Sequence, residues 1–316
     1  MTKVLICTDV EPDDFFAMMV LEIEYASNIE FFILVVSPDP KYHTELTIKL
    51  FNAMNTKRKV TIRQGARYGR DIDGGFEEPK DQSYVKELNE FMKNSKIEVF
   101  LLTTCYALMK HWDPEWEENI KMIYHMGGEG IGKKGSLGFN WKVGPEYAKM
   151  MLRKISYEKI LIFETAYYNP KFIKEFPYEG LNGVDGIVSI CPRTFPLTLK
   201  VIQDKIKDGV EVFNLLIEHN KEWVNAILSD WKEGKKFYPD EGQEYLYFEP
   251  ADIFTVFGAS WFLPHGKVLK NFKFGDEYYV YNTYTTGNSR SKYGFKVEIR
   301  FDSYDSNIAC YLNHFK

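Results

Sequence analysis

The chain has 316 residues, 45% of them hydrophobic, which is enough for the core of one large α/β domain or two smaller ones. Its formal net charge is −5 and no extended basic stripe is present, so a nucleic-acid polymer or an anionic membrane is not expected as partner. No apolar run could span a bilayer and no signal peptide is recognisable, so we expect a soluble cytoplasmic protein with no membrane partner. The four scattered cysteines are expected to be reduced thiols.

Apolar runs typical of buried strands recur along the chain, and segments long enough for helices separate most of them. The predicted strands are Val4–Ile6, Phe31–Val36, Val60–Arg63, Val99–Leu102, Met122–His125, Ile160–Phe163 and Gly186–Ile190. The predicted helices are Tyr42–Met54, Tyr84–Asn94, Pro145–Lys154 and Leu197–Lys205. This alternation predicts an α/β fold with a mostly parallel central sheet and helices on both faces.

Three long loops and one aromatic segment complete the pattern. The loops Ala66–Gln82, Gly127–Leu137 and Trp231–Gln243 are rich in Gly, Asp and Glu, and such loops are expected to be lids or insertions. After Phe272, aromatic and polar residues alternate, which predicts an antiparallel hairpin near residues 277–299 appended to the sheet. Because no clear linker or internal repeat is present, we expect residues 1–316 to form a single domain.

Three carboxylates, Asp9, Asp13 and Asp14, crowd the point where the first strand passes into an apolar helix that opens at Phe15. In open α/β sheets, ligands bind at the carboxyl ends of the strands, where these acids are expected. Crowded acids repel one another unless a cation takes up their charge, and calcium and magnesium prefer such oxygen ligands. One acid acting only as a helix cap is the simpler alternative, but three together favour a metal site.

Two other segments carry weaker signals. Asp252 directly precedes an apolar helical run, and taken alone it is better interpreted as a helix cap. Thr103 and Thr104 end a strand before a helix, so their backbone carbonyls are candidate ligands for a cation. His125 ends another apolar strand, and we expect it to be a buried histidine whose ring nitrogens are hydrogen-bonded.

Taken in order, these segments resemble the nucleoside hydrolase family. Residues 7–14 correspond to the family's opening Asp-x-Asp-Pro-Gly-x-Asp-Asp. The other matches are Arg63-Gln64-Gly65-Ala66 with Arg-Gly-Ala, Leu102-Thr103-Thr104-Cys105-Tyr106-Ala107 with Pro-Leu-Thr-Asn-Leu-Ala, Met126-Gly127-Gly128 with Met-Gly-Gly, Gly138-Phe139-Asn140 and Pro145-Glu146 with Glu-Phe-Asn and Pro-Glu, and Ala251-Asp252 with His-Asp. The resemblance covers nearly the whole chain and implies a divergent member with the family's Rossmann-like fold.

The resemblance also implies the chemistry of the site. It implies a calcium ion held by Asp9, Asp14, Asp252 and the backbone carbonyl of Thr104. The ion would bind a water molecule and the 2′- and 3′-hydroxyls of a sugar, and Asp9 would be the general base. Asp13 and Asn140 would hydrogen-bond the ribose hydroxyls. The implied function is a calcium-dependent hydrolase of the ribosyl-base bond in a nucleoside or related small riboside, and a homo-oligomer, dimer or tetramer, is among the possible assemblies.

Several positions depart from the family pattern. Cys7 replaces the first acid, Gly138 a glutamate that binds the sugar 5′-hydroxyl, and Ala251 a histidine that in some members helps the base to leave. Val36-Ser37-Pro38 stands where the family has Gly-Asn. These departures leave two alternatives open. One is a hydrolase of nucleotides or other 5′-substituted ribosides, with Lys133, Lys134 or Lys142 near the substituent, and the other is a catalytically silent homologue that binds the metal or a ligand.

Overall fold

The computed structural model describes most of the first half of the chain and a shorter part near its end. The described residues are 2–11, 14, 17–19, 21–22, 25–69, 75–129, 137–164, 267–284, 288–290 and 296–298. The predicted strand Gly186–Ile190, the predicted helix Leu197–Lys205 and the loop Trp231–Gln243 lie outside them. No helix within these ranges is long and apolar enough to cross a membrane.

In the described part of the chain, a nine-stranded sheet has the strand order β4-β3-β2-β1-β5-β6-β7-β9-β8. The strands are β1 (Thr2–Thr8), β2 (Phe31–Ser37), β3 (Val60–Tyr68), β4 (Phe76–Glu77), β5 (Lys96–Leu101), β6 (Ile120–Gly127), β7 (Ile160–Glu164), β8 (Lys267–Phe274) and β9 (Glu277–Tyr284). The six strands from β3 to β7 in this order are parallel to their neighbours. The predicted parallel sheet is therefore confirmed, and each of the first six predicted strands overlaps an observed one.

The central strands have the burial expected of a sheet covered on both faces. Every residue of β2 is buried, and so are the last five of β1. Continuous apolar strands of this kind are typical of parallel sheets between helical layers, because neither face meets water. In register, Ile6 lies between Ile33 of β2 and Phe100 of β5.

Helices connect the parallel strands. They are α1 (Pro40–Ala53), α2 (Ser83–Lys93), α3 (Tyr106–Met109), α4 (Glu115–Asn119), α5 (Phe139–Lys142) and α6 (Pro145–Lys154). The three predicted helices in the described part of the chain correspond to α1, α2 and α6, and each begins and ends within two residues of the observed helix. Asp14 and residues 17–19 and 21–22 are also helical, as predicted for the segment after the first strand.

The far end of the helix that follows β1 is held by Arg58, whose side chain is almost completely buried. Its guanidinium donates hydrogen bonds of 2.8–3.2 Å to four backbone carbonyls, those of Glu22, Tyr25, Ala26 and Ile29. It also pairs with the Glu22 carboxylate and lies 4.0 Å from the centre of the Phe31 ring. One side chain thus satisfies carbonyls that a helix end leaves without partners, which fixes the helix that begins near Asp14.

The strand order places a binding crevice at one edge of the sheet. From β1 the chain moves outward through β2 and β3, then returns to the other side of β1 to form β5. Ligands in open α/β sheets bind where the order reverses in this way, at the carboxyl ends of the two strands involved. Asp9 directly follows β1, and Thr103 and Thr104 closely follow β5. The topology therefore brings these predicted site residues to one crevice.

The appended hairpin is present, but its pairing differs from the prediction. Strands β8 and β9 are antiparallel and are joined by the two residues Gly275 and Asp276, with Gly275 at a φ of +67°. The tyrosine-rich segment is therefore the second strand of the hairpin and not the first, because Gly275 supplies the positive φ that a tight turn requires. Asn288–Arg290 and Lys296–Glu298 form a separate antiparallel pair.

Candidate metal and catalytic site

Asp9 is the best-defined acid of the crevice. Its side chain is buried, and its Oδ2 accepts a hydrogen bond of 2.7 Å from the Tyr68 hydroxyl and a longer one of 3.4 Å from Thr103 Oγ1. Tyr68 ends β3, and Thr103 lies just beyond β5, so groups from three strand ends meet at this carboxyl. The parallel topology therefore fixes where the carboxyl of Asp9 lies.

Asp14 is completely buried beside the same turn. Its Oδ1 accepts a hydrogen bond from the Thr8 hydroxyl, and its Oδ2 accepts one of 3.2 Å from the backbone N–H of Glu11. The second bond is of the kind that caps a helix N-terminus. The helix cap that the sequence offered as the simpler role for one acid is therefore present at Asp14. Because each carboxylate oxygen has more than one acceptor direction, these bonds are compatible with a bound cation.

The turn between the two acids is strained at Val10, which has a φ of +64°. A β-branched side chain is disfavoured in this left-handed region, and a residue held there typically costs about 1–3 kcal/mol. The Val10 N–H donates a hydrogen bond of 3.0 Å to Thr8 Oγ1, which helps to hold the turn. In this conformation the carboxyls of Asp9 and Asp14 lie within hydrogen-bonding reach of each other.

The electrostatics of the pair favour a proton or a cation between them. Burial raises the pKa of Asp9 above its usual value, and hydrogen bonds from Tyr68, Asp14, the Asp9 backbone and Thr103 offset only part of this rise. Within the described ranges, the partners of Asp9 are hydroxyls, backbone and another carboxyl, and none is a cationic side chain. These hard oxygen donors fit calcium or magnesium, whose charge would keep both acids ionised.

Thr104 contributes both of its oxygen atoms to the local structure. Its hydroxyl donates a hydrogen bond of 2.6 Å to the carbonyl of Val143, and its own carbonyl accepts one of 3.2 Å from the N–H of Ala107. A carbonyl oxygen has two lone pairs, so the bond from Ala107 leaves one acceptor direction for a cation. The residue is buried at the end of β5, the strand next to β1.

Asn140 lies at the start of the short helix α5 and is buried. Its Nδ2 donates hydrogen bonds to the carbonyls of Leu102, at 3.1 Å, and Met126, at 3.2 Å. The side chain thus connects the carboxyl ends of β5 and β6. Because both N–H directions are used by backbone, Oδ1 is the atom of this side chain that is suited to a ligand.

His125 is buried and both of its ring nitrogens are hydrogen-bonded, as predicted. Its Nδ1 lies 2.8 Å from the carbonyl of Leu101, and its Nε2 accepts a hydrogen bond of 2.8 Å from the Trp141 indole. Burial lowers its pKa to about 4, so the ring is neutral at pH 7. A side chain at Gly127 would overlap the His125 ring and approach Trp141 Nε1 to 2.7 Å. This close packing explains the glycine that follows Met126.

The structure describes part of the predicted site. Asp9, Asp14, Thr104 and Asn140 lie at the carboxyl ends of β1, β5 and β6, whereas Asp13 and Asp252 lie outside the described residues. Among the residues that are described, no group of three or more histidines, cysteines and acids is arranged to hold a metal. The described residues thus supply two acids and one backbone carbonyl as donors.

The positions that depart from the family pattern are only partly described. Cys7 is a free, fully buried thiol whose pKa is raised by burial. Gly138 precedes α5 and donates its N–H to the carbonyl of Gly128 at 2.8 Å. Lys142 ends the same helix and is exposed. Val36-Ser37-Pro38 ends β2 and continues just beyond it, whereas Ala251 and the candidate lysines Lys133 and Lys134 lie outside the described residues.

Two residues of the site were not expected from the sequence. Thr8 connects the Val10 backbone with Asp14, and Tyr68 contacts Asp9 across 59 residues of chain. Thr8 lies inside the acidic segment and was within reach of sequence reasoning, because a hydroxyl before clustered acids is a local hydrogen-bond donor. Tyr68 carries no comparable local signal.

Comparisons with known proteins agree with this architecture. No family model and no curated protein matches the chain. Among solved structures, an inosine-uridine preferring nucleoside hydrolase from Bacillus anthracis is similar, with 13% sequence identity, a TM-score of 0.55, and coverage of 98% of this chain and 99% of that chain. A purine-preferring ribonucleoside hydrolase from Gardnerella vaginalis is also similar, with 11% identity, a TM-score of 0.52, and coverage of 99% and 98%. The chain therefore has the α/β fold of these proteins.

Proposed function

We propose that the protein is a divalent-metal-dependent N-glycoside hydrolase that cleaves the ribosyl-base bond of a nucleoside or related riboside. The observation that carries this proposal is the buried pair Asp9 and Asp14, which lies in the crevice where the strand order reverses. The fold is shared with an inosine-uridine preferring and a purine-preferring nucleoside hydrolase. Fold alone does not determine function, so the proposal depends on the chemistry of this acid pair.

The acid pair, the carbonyl of Thr104 and Asp252 would hold the metal, which we propose to be calcium because all the donors are oxygen atoms. The bound ion would lower the pKa of a coordinated water molecule and bind the sugar hydroxyls. Asp9 accepts the proton of the attacking water as the bond from the anomeric carbon to the base nitrogen breaks, and that electron pair leaves with the base.

Asn140 and Asp13 would recognise the sugar. The two N–H groups of Asn140 are bonded to backbone, so we propose that its Oδ1 accepts a hydrogen bond from a ribose hydroxyl. Asp13 would accept a second one. A site that pairs buried groups with substrate hydroxyls rejects an analogue that lacks one of them, so 2′-deoxynucleosides are expected to be poor substrates.

A second candidate substrate is a nucleotide or another riboside with a 5′ substituent. Gly138 has no side chain where the resembling family has a glutamate at the 5′-hydroxyl, and the exposed Lys142 lies four residues later on α5. The absence of that acid removes a negative charge that would repel a phosphate, and a lysine is able to pair with one.

The test is an assay of base release. The protein is incubated with nucleosides and their 5′-monophosphates, with calcium or after chelation, and free base is measured by chromatography. We expect calcium-dependent release that Asp9→Ala abolishes and that Asp81→Ala, which changes an exposed acid at the start of α2, leaves unchanged. A higher kcat/KM for the monophosphates would select the nucleotide alternative. No base release from any compound by the calcium-loaded protein would contradict hydrolysis and indicate a catalytically silent homologue.

A further inference from the structure

Tyr68 contacts Asp9, the proposed general base, directly. Its hydroxyl donates a 2.7 Å hydrogen bond to Asp9 Oδ2, and its side chain is buried. We propose that Tyr68 is a positioning residue that orients the Asp9 carboxylate, so that the other oxygen, Oδ1, is presented to the metal and to the attacking water. This inference rests on the proposed function, because it gives Tyr68 its role through Asp9.

The hydrogen bond from Tyr68 is the main side-chain constraint on this oxygen. Thr103 also reaches Oδ2, but its single hydroxyl hydrogen is shared between Asp9 at 3.4 Å and the carbonyl of Val36 at 3.2 Å. Both distances are longer than the usual range for a hydroxyl donor, whereas 2.7 Å is close to the optimum. If Tyr68 lost its hydroxyl, Asp9 would retain only the weaker of its two hydroxyl partners.

Tyr68 is itself held rigidly, as a positioning residue must be. It pairs with Phe76 across the antiparallel strands β3 and β4, and the two rings meet edge to face with centres 6.2 Å apart. Phe76 stacks on Tyr106 with ring centres 3.7 Å apart. The hydroxyls of Tyr106 and Tyr84 both donate to the Glu78 carboxylate, at 2.5 and 2.6 Å. The phenol therefore belongs to a packed aromatic layer that is anchored to α2 and α3.

Cys7, near the end of β1, is buried, and its thiol is only a weak hydrogen-bond donor. The hydroxyl of Tyr68 is the stronger donor. Partners that orient metal-binding groups typically change metal affinity or activity about 10- to 100-fold when removed.

The experiment compares wild type with Tyr68→Phe, which keeps the aromatic ring and removes the hydroxyl. Calcium affinity is measured by calorimetry, and kcat and KM are measured on the best substrate. We expect both the calcium affinity and kcat to fall about 10- to 100-fold. At saturating calcium, KM is expected to change little, because the hydrogen bond of Tyr68 is to Asp9. Tyr279→Phe is the matched control, since Tyr279 is a buried tyrosine that donates to the carboxylate of Glu277 in the hairpin.

Three outcomes decide the proposal. If Tyr68→Phe keeps wild-type calcium affinity and kcat while its thermal stability falls as in Tyr279→Phe, the hydroxyl is only structural and the proposal is wrong. If wild type binds calcium but releases no base, the proposed function fails, and the calcium affinities of the two proteins still test Tyr68. If wild type does not bind calcium, crystal structures of both proteins decide. An Asp9 carboxyl that turns away in the variant supports the role, and an unmoved one overturns it.

Discussion

Acidification is expected to destabilise the folded protein through His125. In the folded protein, Nδ1 donates to the carbonyl of Leu101 and Nε2 accepts from the indole of Trp141. Protonation would place a hydrogen on Nε2, facing the Trp141 N–H at 2.8 Å, so two donors would oppose each other. Burial adds to this penalty, and the pKa falls from an ordinary 6.5 to about 4.

The size of the effect follows from linkage. Between pH 6.5 and about 4 the unfolded chain binds a proton at this histidine and the folded protein does not, so the free energy of unfolding falls as the pH falls. The stability is complete above pH 6.5 and is lost progressively toward pH 4. At 1.36 kcal/mol per pH unit, the loss from His125 is about 2 kcal/mol at pH 5 and about 3 kcal/mol at pH 4.

Urea unfolding at several pH values between 7 and 4 measures this contribution. The comparison is with His125→Asn, whose amide N–H is able to donate to the Leu101 carbonyl but which does not titrate. Other ionisable groups are common to both proteins, so the difference between the two pH dependences isolates His125. The variant is expected to be less stable at pH 7 and to lose about 3 kcal/mol less on acidification to pH 4. Equal pH dependences in the two proteins would refute the claim that His125 is neutral in the folded protein and that its protonation favours unfolding.

Two further changes test the packing of the fold, one at Arg58 and one beside His125. Arg58→Lys keeps the charge but removes the planar set of donors that reaches the helix carbonyls and Glu22, so urea unfolding is expected to show a loss of about 3–5 kcal/mol. A loss below about 1 kcal/mol would show that these bonds contribute little. Gly127→Ala is expected to displace the His125 and Trp141 rings and lower stability by about 1–3 kcal/mol in thermal unfolding. An unchanged melting temperature would contradict the close packing.

The parallel core could be predicted from the sequence because its strands are short and continuously apolar. Phe31–Val36 reads as a buried strand in isolation, since neither face of β2 meets water. The hairpin was harder. In Lys267–Phe274, polar and apolar residues alternate only from Asn271 onward, where Phe272 and Phe274 are buried, so this segment was not predicted as a strand. Its pairing depends on the turn at Gly275, and the tyrosine-rich strand that follows gave the stronger signal.

The site could be predicted only where its residues are close in sequence. Asp9 and Asp14 stand five positions apart, so their crowding is visible in the chain itself. Tyr68 reaches Asp9 because β3, β2 and β1 lie side by side, and this neighbourhood depends on the order of the strands in the sheet. The atoms that Asn140 offers to a ligand depend on two backbone carbonyls from different strands. Sequence patterns do not record such tertiary constraints.

The central claim is that Asp9 acts with a bound divalent cation to break a ribosyl-base bond. Its most direct test is the rate of base release from a riboside by protein stripped of metal and then titrated with calcium, for wild type, Asp9→Ala and Asp81→Ala. We expect release to rise with calcium occupancy in wild type and Asp81→Ala, and to be at least about 10²-fold slower in Asp9→Ala at every calcium concentration. Release that is independent of calcium, or an Asp9→Ala rate equal to that of wild type, would contradict the claim.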